Sequence, residues 1–149
     1  MNVPDAGQVA VVDLRAARQD ASWRVPNEGS NFPMAIDDTG AALAVVFRRP
    51  ARLVLLDTGS GAVTASLDSC GDADDVFFDA GRRRIYVSCG AGRVDVFQQG
   101  GAAYRLAAGI DTSSGARTSL FVPALDRLFV AARATSGSAA SILVFRPEP

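Results

Sequence analysis

Pro33-Met-Ala-Ile-Asp-Asp-Thr-Gly-Ala-Ala-Leu-Ala-Val45 reads as a short apolar run, a turn and a second apolar run, and the chain says the same thing twice more. Asp75-Val-Phe-Phe-Asp-Ala-Gly-Arg-Arg-Arg-Ile-Tyr-Val87 and Ser119-Leu-Phe-Val-Pro-Ala-Leu-Asp-Arg-Leu-Phe-Val130 are versions of one unit. Leu43 to Ile85 is 42 residues and Ile85 to Leu128 is 43. A second register agrees: Val11-Val-Asp-Leu14, Val54-Leu-Leu-Asp57, Val94-Asp-Val-Phe97 and Leu143-Val-Phe-Arg146 follow one another at 43, 40 and 49 residues.

Reading outward from the first unit gives four short strands per repeat. Met34-Ala-Ile-Asp37 is followed by the turn Asp38-Thr-Gly40, then Ala42 to Phe47, the break Arg48-Arg-Pro50, Arg52 to Asp57, the turn Thr58-Gly-Ser-Gly61, and Val63 to Leu67. Continuous Val, Leu and Ile in the inner runs fit strands covered on both faces, whereas the fourth run alternates apolar and polar as a half-solvated outer strand does. The Asp-Thr-Gly and Thr-Gly-Ser-Gly stretches supply the left-handed and Asx-type conformations of tight hairpins. A generic antiparallel sandwich explains the strands but not the period. Repetition near 40 to 45 residues built from short strands predicts an all-β chain, a β-propeller of four-stranded antiparallel blades.

The units are counted as a half blade at 8–25, complete blades at 31–67 and 72–110, and a three-stranded blade at 119–145, all in one domain spanning 1–149. Thirteen strands make about three blades, and closed propellers have about four to eight. Open edges at both ends are a liability for a folded protein. The expectation is a homodimer in which an amino-terminal strand of one copy completes the carboxy-terminal blade of the other, giving a ring of six or seven blades; the alternative is an open piece of a longer propeller. Ala134-Thr-Ser-Gly-Ser-Ala-Ala140 reads as an enlarged hairpin loop.

Composition narrows function by exclusion. The chain has 149 residues, 48% of them apolar, a net charge of −1, no histidine, and arginine at all 15 basic positions. Near-neutral charge attracts neither nucleic acid nor a membrane surface. The Arg82-Arg-Arg84 turn lacks the interleaved aromatics of a nucleic-acid patch. No run approaches the ~18 apolar residues of a membrane span. Met1 to Gly7 lacks the regions of a signal peptide, so the sequence as given implies the cytoplasm, and an upstream export signal would instead imply the periplasm or exterior. Without histidine there is no imidazole base or metal ligand, and without lysine no Schiff base.

Arg84-Ile-Tyr-Val-Ser-Cys-Gly90, followed by Gly92-Arg-Val-Asp-Val-Phe97, resembles the YVTN-type repeat of bacterial seven-bladed propellers, with Tyr86-Val-Ser-Cys89 where that motif reads Tyr-Val-Thr-Asn. Asp57-Thr-Gly-Ser-Gly61 and the Val-Asp-Leu pieces are similar to its turn and third-strand positions. The resemblance implies binding or scaffolding rather than a reaction.

Antiparallel first and second strands put the loop entering the first and the loop leaving the second on one face of a propeller, around the central channel. Those loops hold Asn31, Phe32, Arg48, Arg49, Asp72, Asp74, Asp75 and Arg117, the candidate ligand-binding residues. Loops on a rigid scaffold commonly carry function. The expected activity is that of a non-enzymatic, self-associating binding module for a small molecule or protein, with no catalytic residue and no cofactor implied. The rival is a metal-assisted hydrolase or lactonase in which Asp72, Asp74 and Asp75 hold a hard cation such as Ca²⁺ through oxygen; the same carboxylates are equally natural partners for Arg48, Arg49 and Arg117. Cys70 and Cys89 lie on the same face, at the start of a first strand and the end of a second, so either a disulfide or two buried thiols fits their positions. A disulfide would favour an oxidising compartment.

Overall fold

A computed structural model describes residues 1–148 and shows an all-β chain of four antiparallel sheets in sequence order. The first contains β1 (Asn2–Val3), β2 (Gln8–Asp13) and β3 (Arg18–Arg24). The second contains β4 (Gly29–Ile36), β5 (Ala42–Arg49), β6 (Ala51–Asp57) and β7 (Val63–Asp68). The third contains β8 (Ala73–Asp79), β9 (Arg84–Cys89), β10 (Arg93–Gly100) and β11 (Ala103–Asp111). The fourth contains β12 (Ser119–Val122), β13 (Arg127–Ala132) and β14 (Ser141–Phe145). Within each sheet, neighbours in sequence are neighbours in space, the up-and-down order of a propeller blade.

Alternation explains why the sheets stack. In β5 and β6, Ala44, Val46, Leu53 and Leu55 pack against Ala73, Val76, Ile85, Val87 and Phe97 of the third sheet. Leu43, Val45, Phe47, Val54 and Leu56, on the opposite side of the same strands, pack against Val9, Val25 and Trp23 of the first. The period-two rule therefore turns one apolar run into two interfaces. The third sheet repeats the arrangement, presenting Tyr86, Val94 and Val96 to Phe121, Leu128 and Val130 of the fourth, with Tyr86 edge-on to Phe121 at a centroid separation of 5.2 Å. The outer strands β3, β7 and β11 are mostly exposed.

Two boundaries differ from the sequence reading. The first unit is a three-stranded sheet, because Asn2 and Val3 pair with Val9 and Gln8; two residues are too short to show alternation. The outer strand of that sheet begins at Arg18, three residues before the apolar signal at Ala21, and Val25 falls just beyond it. The Ala134 to Ala140 segment does join β13 to β14 as a loop, closed by a bridge between Thr135 and Ser138.

The two end sheets each have an uncovered side. Leu120 pairs with Phe129 and Phe129 with Val144, while Ala131 pairs with Ile142, so these residues share the face of the fourth sheet that points away from the third. Leu120, Ile142 and Val144 on it are 55, 59 and 55% exposed. At the other end Met34 and Ile36 pair with Val45 and Leu43, on the side turned toward the first sheet, yet remain 41 and 58% exposed.

Candidate mouth site

The loops between sheets, which the repeat leaves free to vary, meet at one end of the row. Asp72, just before β8, has a left-handed backbone with φ of 59°, a conformation that Asp tolerates better than most residues. Its carboxylate receives two guanidiniums from different sheets: Arg48 Nη1, at the end of β5, stands 2.9 Å from Oδ1, and Arg117 Nη1, from the loop before β12, donates to Oδ2. Asp74 takes the second arm of each, with Arg48 Nη2 at 2.7 Å and Arg117 Nε at 3.4 Å. Arg48 Nε donates to the Ala73 carbonyl at 2.8 Å. This is fork-to-carboxylate pairing that lysine would not reproduce, and it binds three consecutive sheets at their mouth. The hydrogen bond and charge of Asp72 hold the Arg117 guanidinium more firmly protonated than usual.

Local chain geometry supports the lattice. Gly90 sits so close to the loop that an added Cβ would lie 2.1 Å from Asp72 Oδ2, and its amide donates to the Asp72 carbonyl at 2.8 Å. Cys70 and Cys89 form a disulfide, with Cα atoms 5.9 Å apart, and no free cysteine is present among the described residues. The Cys70 amide also donates to the buried Asp95 carboxylate at 2.8 Å, while Arg93 Nε holds the other oxygen at 2.6 Å. The acidic loop is therefore anchored immediately behind Asp72 by a covalent link and a buried carboxylate.

The eight candidate residues divide into two groups. Phe32, Arg48, Arg49 and Asp72 come together with Ser30 around a depression of about 330 Å³; the Arg48 guanidinium lies 4.1 Å above the Phe32 ring, a cation–π arrangement. Asp74 and Arg117 join through the lattice. Asn31 and Asp75 turn elsewhere. Asn31 is fully buried and donates its amide to Asn2 Oδ1 and to the Gln8 carbonyl, so it ties β4 to the first sheet rather than meeting a ligand. Asp75 Oδ2 accepts from the Ser119 amide at 2.6 Å, tying the third sheet to the fourth. Burial raises the Asp75 pKa, with help from the neighbouring Asp74 charge and against the Ser119 hydrogen bond.

The three carboxylates thus do not turn on a common point, and among the described residues no three acidic or cysteine side chains are placed to hold a metal ion. Sequence reasoning missed a second latch on the opposite end of the blades. Tyr86, the first residue of the motif, donates its hydroxyl to Asp79 Oδ2 at 2.8 Å, and Arg82 bridges Asp79 at 3.2 Å to Asp126 at 2.8 Å. Burial and then the Asp79 contact push the Tyr86 pKa upward. The signal was present as Asp79 and Arg82 flanking a turn, but their partner Asp126 lies more than 40 residues away.

No family model matches the chain, and no curated protein matches it. Solved structures do. Hydrazine synthase of Kuenenia stuttgartiensis is similar over 94% of this chain and 40% of its own, with a TM-score of 0.79 and 19% identity. A chain of a mitotic checkpoint complex is similar over 91% and 42%, with a TM-score of 0.75 and 12% identity. A candidate 6-phosphogluconolactonase from Bacteroides uniformis is similar over 95% and 47%, with a TM-score of 0.71 and 12% identity. At these identities the likeness fixes the fold alone: four consecutive propeller-like blades. The chain spans less than half the length of each of these neighbours.

Proposed function

We propose that the chain is a non-enzymatic binding and interaction module, a half-propeller that closes its ring with a second copy and receives a small ligand at the mouth. The observation that carries the association is the pair of uncovered apolar sides at opposite ends of the row. Leu120, Ile142 and Val144 lie on one end sheet, and Met34 and Ile36 face the other. Covering a half-exposed side chain of this size is worth about 1–2 kcal/mol, and a two-fold ring covers each set once per copy. Such patches mark interaction surfaces. The neighbours' lengths agree, since this chain spans 40 to 47% of them. With four sheets per copy the ring has eight, at the upper end of the usual range of about four to eight, instead of the six or seven expected from the sequence. The seam is then face against face between end sheets, because the first sheet already uses its amino-terminal strand.

The rival hydrolase reading requires Asp72, Asp74 and Asp75 to be available to a cation or a substrate. Two of them are each gripped by Arg48 and Arg117, and the third accepts a backbone amide. The YVTN-like resemblance supports binding rather than reaction, and the disulfide supports an oxidising compartment. Light scattering tests association. A mass of about twice the 15.5 kDa chain is expected, and Leu120→Glu with Ile142→Glu should reduce it to one copy. A monomer at every concentration overturns the ring.

A further inference from the structure

The internal repeat allows the mouth to be compared with itself. Asn31 pairs with Phe47 as Ala73 pairs with Cys89, and Met34 pairs with Val45 as Val76 pairs with Val87. Ser30 therefore corresponds to Asp72 and Phe32 to Asp74. The backbone keeps the correspondence: Ser30 has φ of 58° and Asp72 has 59°. In the third sheet this loop presents two carboxylates, and two guanidiniums close on them. In the second sheet the same loop presents a hydroxyl and a phenyl ring, and the arginine beside it, Arg49, is exposed and has no carboxylate partner among the described residues. Charge confirms the imbalance. Arg48 and Arg117 against Asp72 and Asp74 is two against two, which leaves Arg49 uncompensated.

We propose that Arg49, with the Ser30 hydroxyl, binds a compact oxyanion of the ligand, a carboxylate or phosphate that takes the position corresponding to the Asp72 carboxylate one repeat later. The depression of about 330 Å³ holds such a group and leaves the Phe32 ring and the Arg48 guanidinium as its floor. Phe32 is 47% exposed, so an apolar portion of the ligand adjoining the oxyanion has a surface to cover. Guanidinium pairs with both carboxylate and phosphate in two-pronged geometry. The site faces solvent, so single oxyanions bind it weakly, in the millimolar range.

This inference rests on the mouth-binding reading above, and its test is arranged so that the two can fail separately. The full chain is titrated at constant ionic strength with inorganic phosphate and, separately, with succinate, while amide resonances are followed and the mass is measured in the same sample. Saturable shifts at Ser30, Phe32 and Arg49 are expected. Arg49→Gln should weaken them about tenfold or more, equivalent to about 1.4 kcal/mol, while Arg105→Gln, on the outer strand β11, leaves them unchanged. Arg49→Lys separates the two oxyanions, retaining phosphate as a point charge and losing succinate. Equal weakening in Arg49→Gln and Arg105→Gln, or shifts spread over Arg82 to Arg84 instead, overturns the inference. A dimer that shows no shift overturns the oxyanion site and leaves the ring standing. Saturable shifts at Ser30 in a monomer support the site and reject the ring.

Discussion

Reducing the disulfide between Cys70 and Cys89 should cost the fold about 3 kcal/mol. The link closes a loop with a sequence separation of 19. In the chain-entropy account the unfolded state regains about 2.1 + 1.5R ln n cal/mol/K when the bond is cut, and n near 20 gives roughly 11 cal/mol/K, or about 3 kcal/mol at 25 °C. Domains are usually stable by about 5–15 kcal/mol, so the loss is a large fraction of the whole. Reduction by an excess of a dithiol keeps both sulfur atoms in place, so it isolates the cross-link from the packing that a Cys89→Ala change would also remove. Cys89 is completely buried among Ala73, Val76 and Val87. Urea unfolding of the oxidised and reduced forms reads the effect directly. With a slope of about 1–3 kcal/mol per molar urea, the midpoint should fall by roughly 1–3 M. The mouth should loosen first, because the acidic loop then hangs from the Cys70 amide bond to Asp95 alone; amide exchange at Gly90 and Ala91, which donate to Asp72 and Gly71, should accelerate before global unfolding. Coincident midpoints, with loss of the disulfide verified by mass, would refute the reasoning.

Gly61→Ala should cost at least about 1–2 kcal/mol, since Gly61 has a left-handed φ of 73° and its added Cβ would stand 2.3 Å from the Trp23 ring; Trp23 is the sole tryptophan, so its fluorescence reports the displaced contact between first and second sheets along with the thermal midpoint. Phe47→Ala, at a fully buried position, should cost about 3–5 kcal/mol, whereas Leu14→Ala, 89% exposed, should stay within about 0.5 kcal/mol, both measured by urea unfolding. Asp75 has a pKa raised by burial, so its ionised form is the less stable one in the folded chain. Wild type should therefore lose stability relative to Asp75→Asn as pH rises through the Asp75 pKa, and the difference between their urea midpoints should be larger at pH 7 than at pH 3; the opposite trend would contradict the burial.

Strands that are long and apolar were legible because their chemistry is local. Ala42 to Phe47 and Arg52 to Asp57 can be nothing but inner strands when the same pattern returns 42 residues later. Mouth loops could be placed on one face for the same reason. What the loops do there was not legible. Asp72 and Asp74 were equally compatible with a cation and with arginine, and the choice depends on how far Arg48 and Arg117 reach from other sheets, 24 and 45 residues away in sequence. Asn31 shows the same limit. An asparagine beside an exposed phenylalanine reads as a contact residue, yet the bulge between Asn31 and Met34 turns it inward to Asn2 and Gln8, where a buried amide must find partners.

The divergence at the mouth is informative because the rest of the unit is so uniform. Turn positions repeat: Asp37 takes the Ala42 amide at 2.8 Å, and Asp57 takes the Ser60 amide at 2.8 Å, each capping its own hairpin. Core positions repeat as well, so neither place distinguishes one sheet from the next. Ser30 and Phe32 against Asp72 and Asp74 is a difference in chemical type at equivalent backbone positions, and stability does not demand it, since ion pairs this exposed contribute at most about 1 kcal/mol. The third-sheet version neutralises the arginines that reach it, and the second-sheet version leaves one unneutralised. In a two-fold ring the unneutralised position occurs twice around one mouth, once per copy. A ligand with two oxyanions spaced to meet both would bind far more tightly than either anion alone, because the second contact is made at the high effective concentration set by the first. A bivalent gain that disappears in Leu120→Glu with Ile142→Glu, while the millimolar single-site binding survives, would tie the seam and the site to one function.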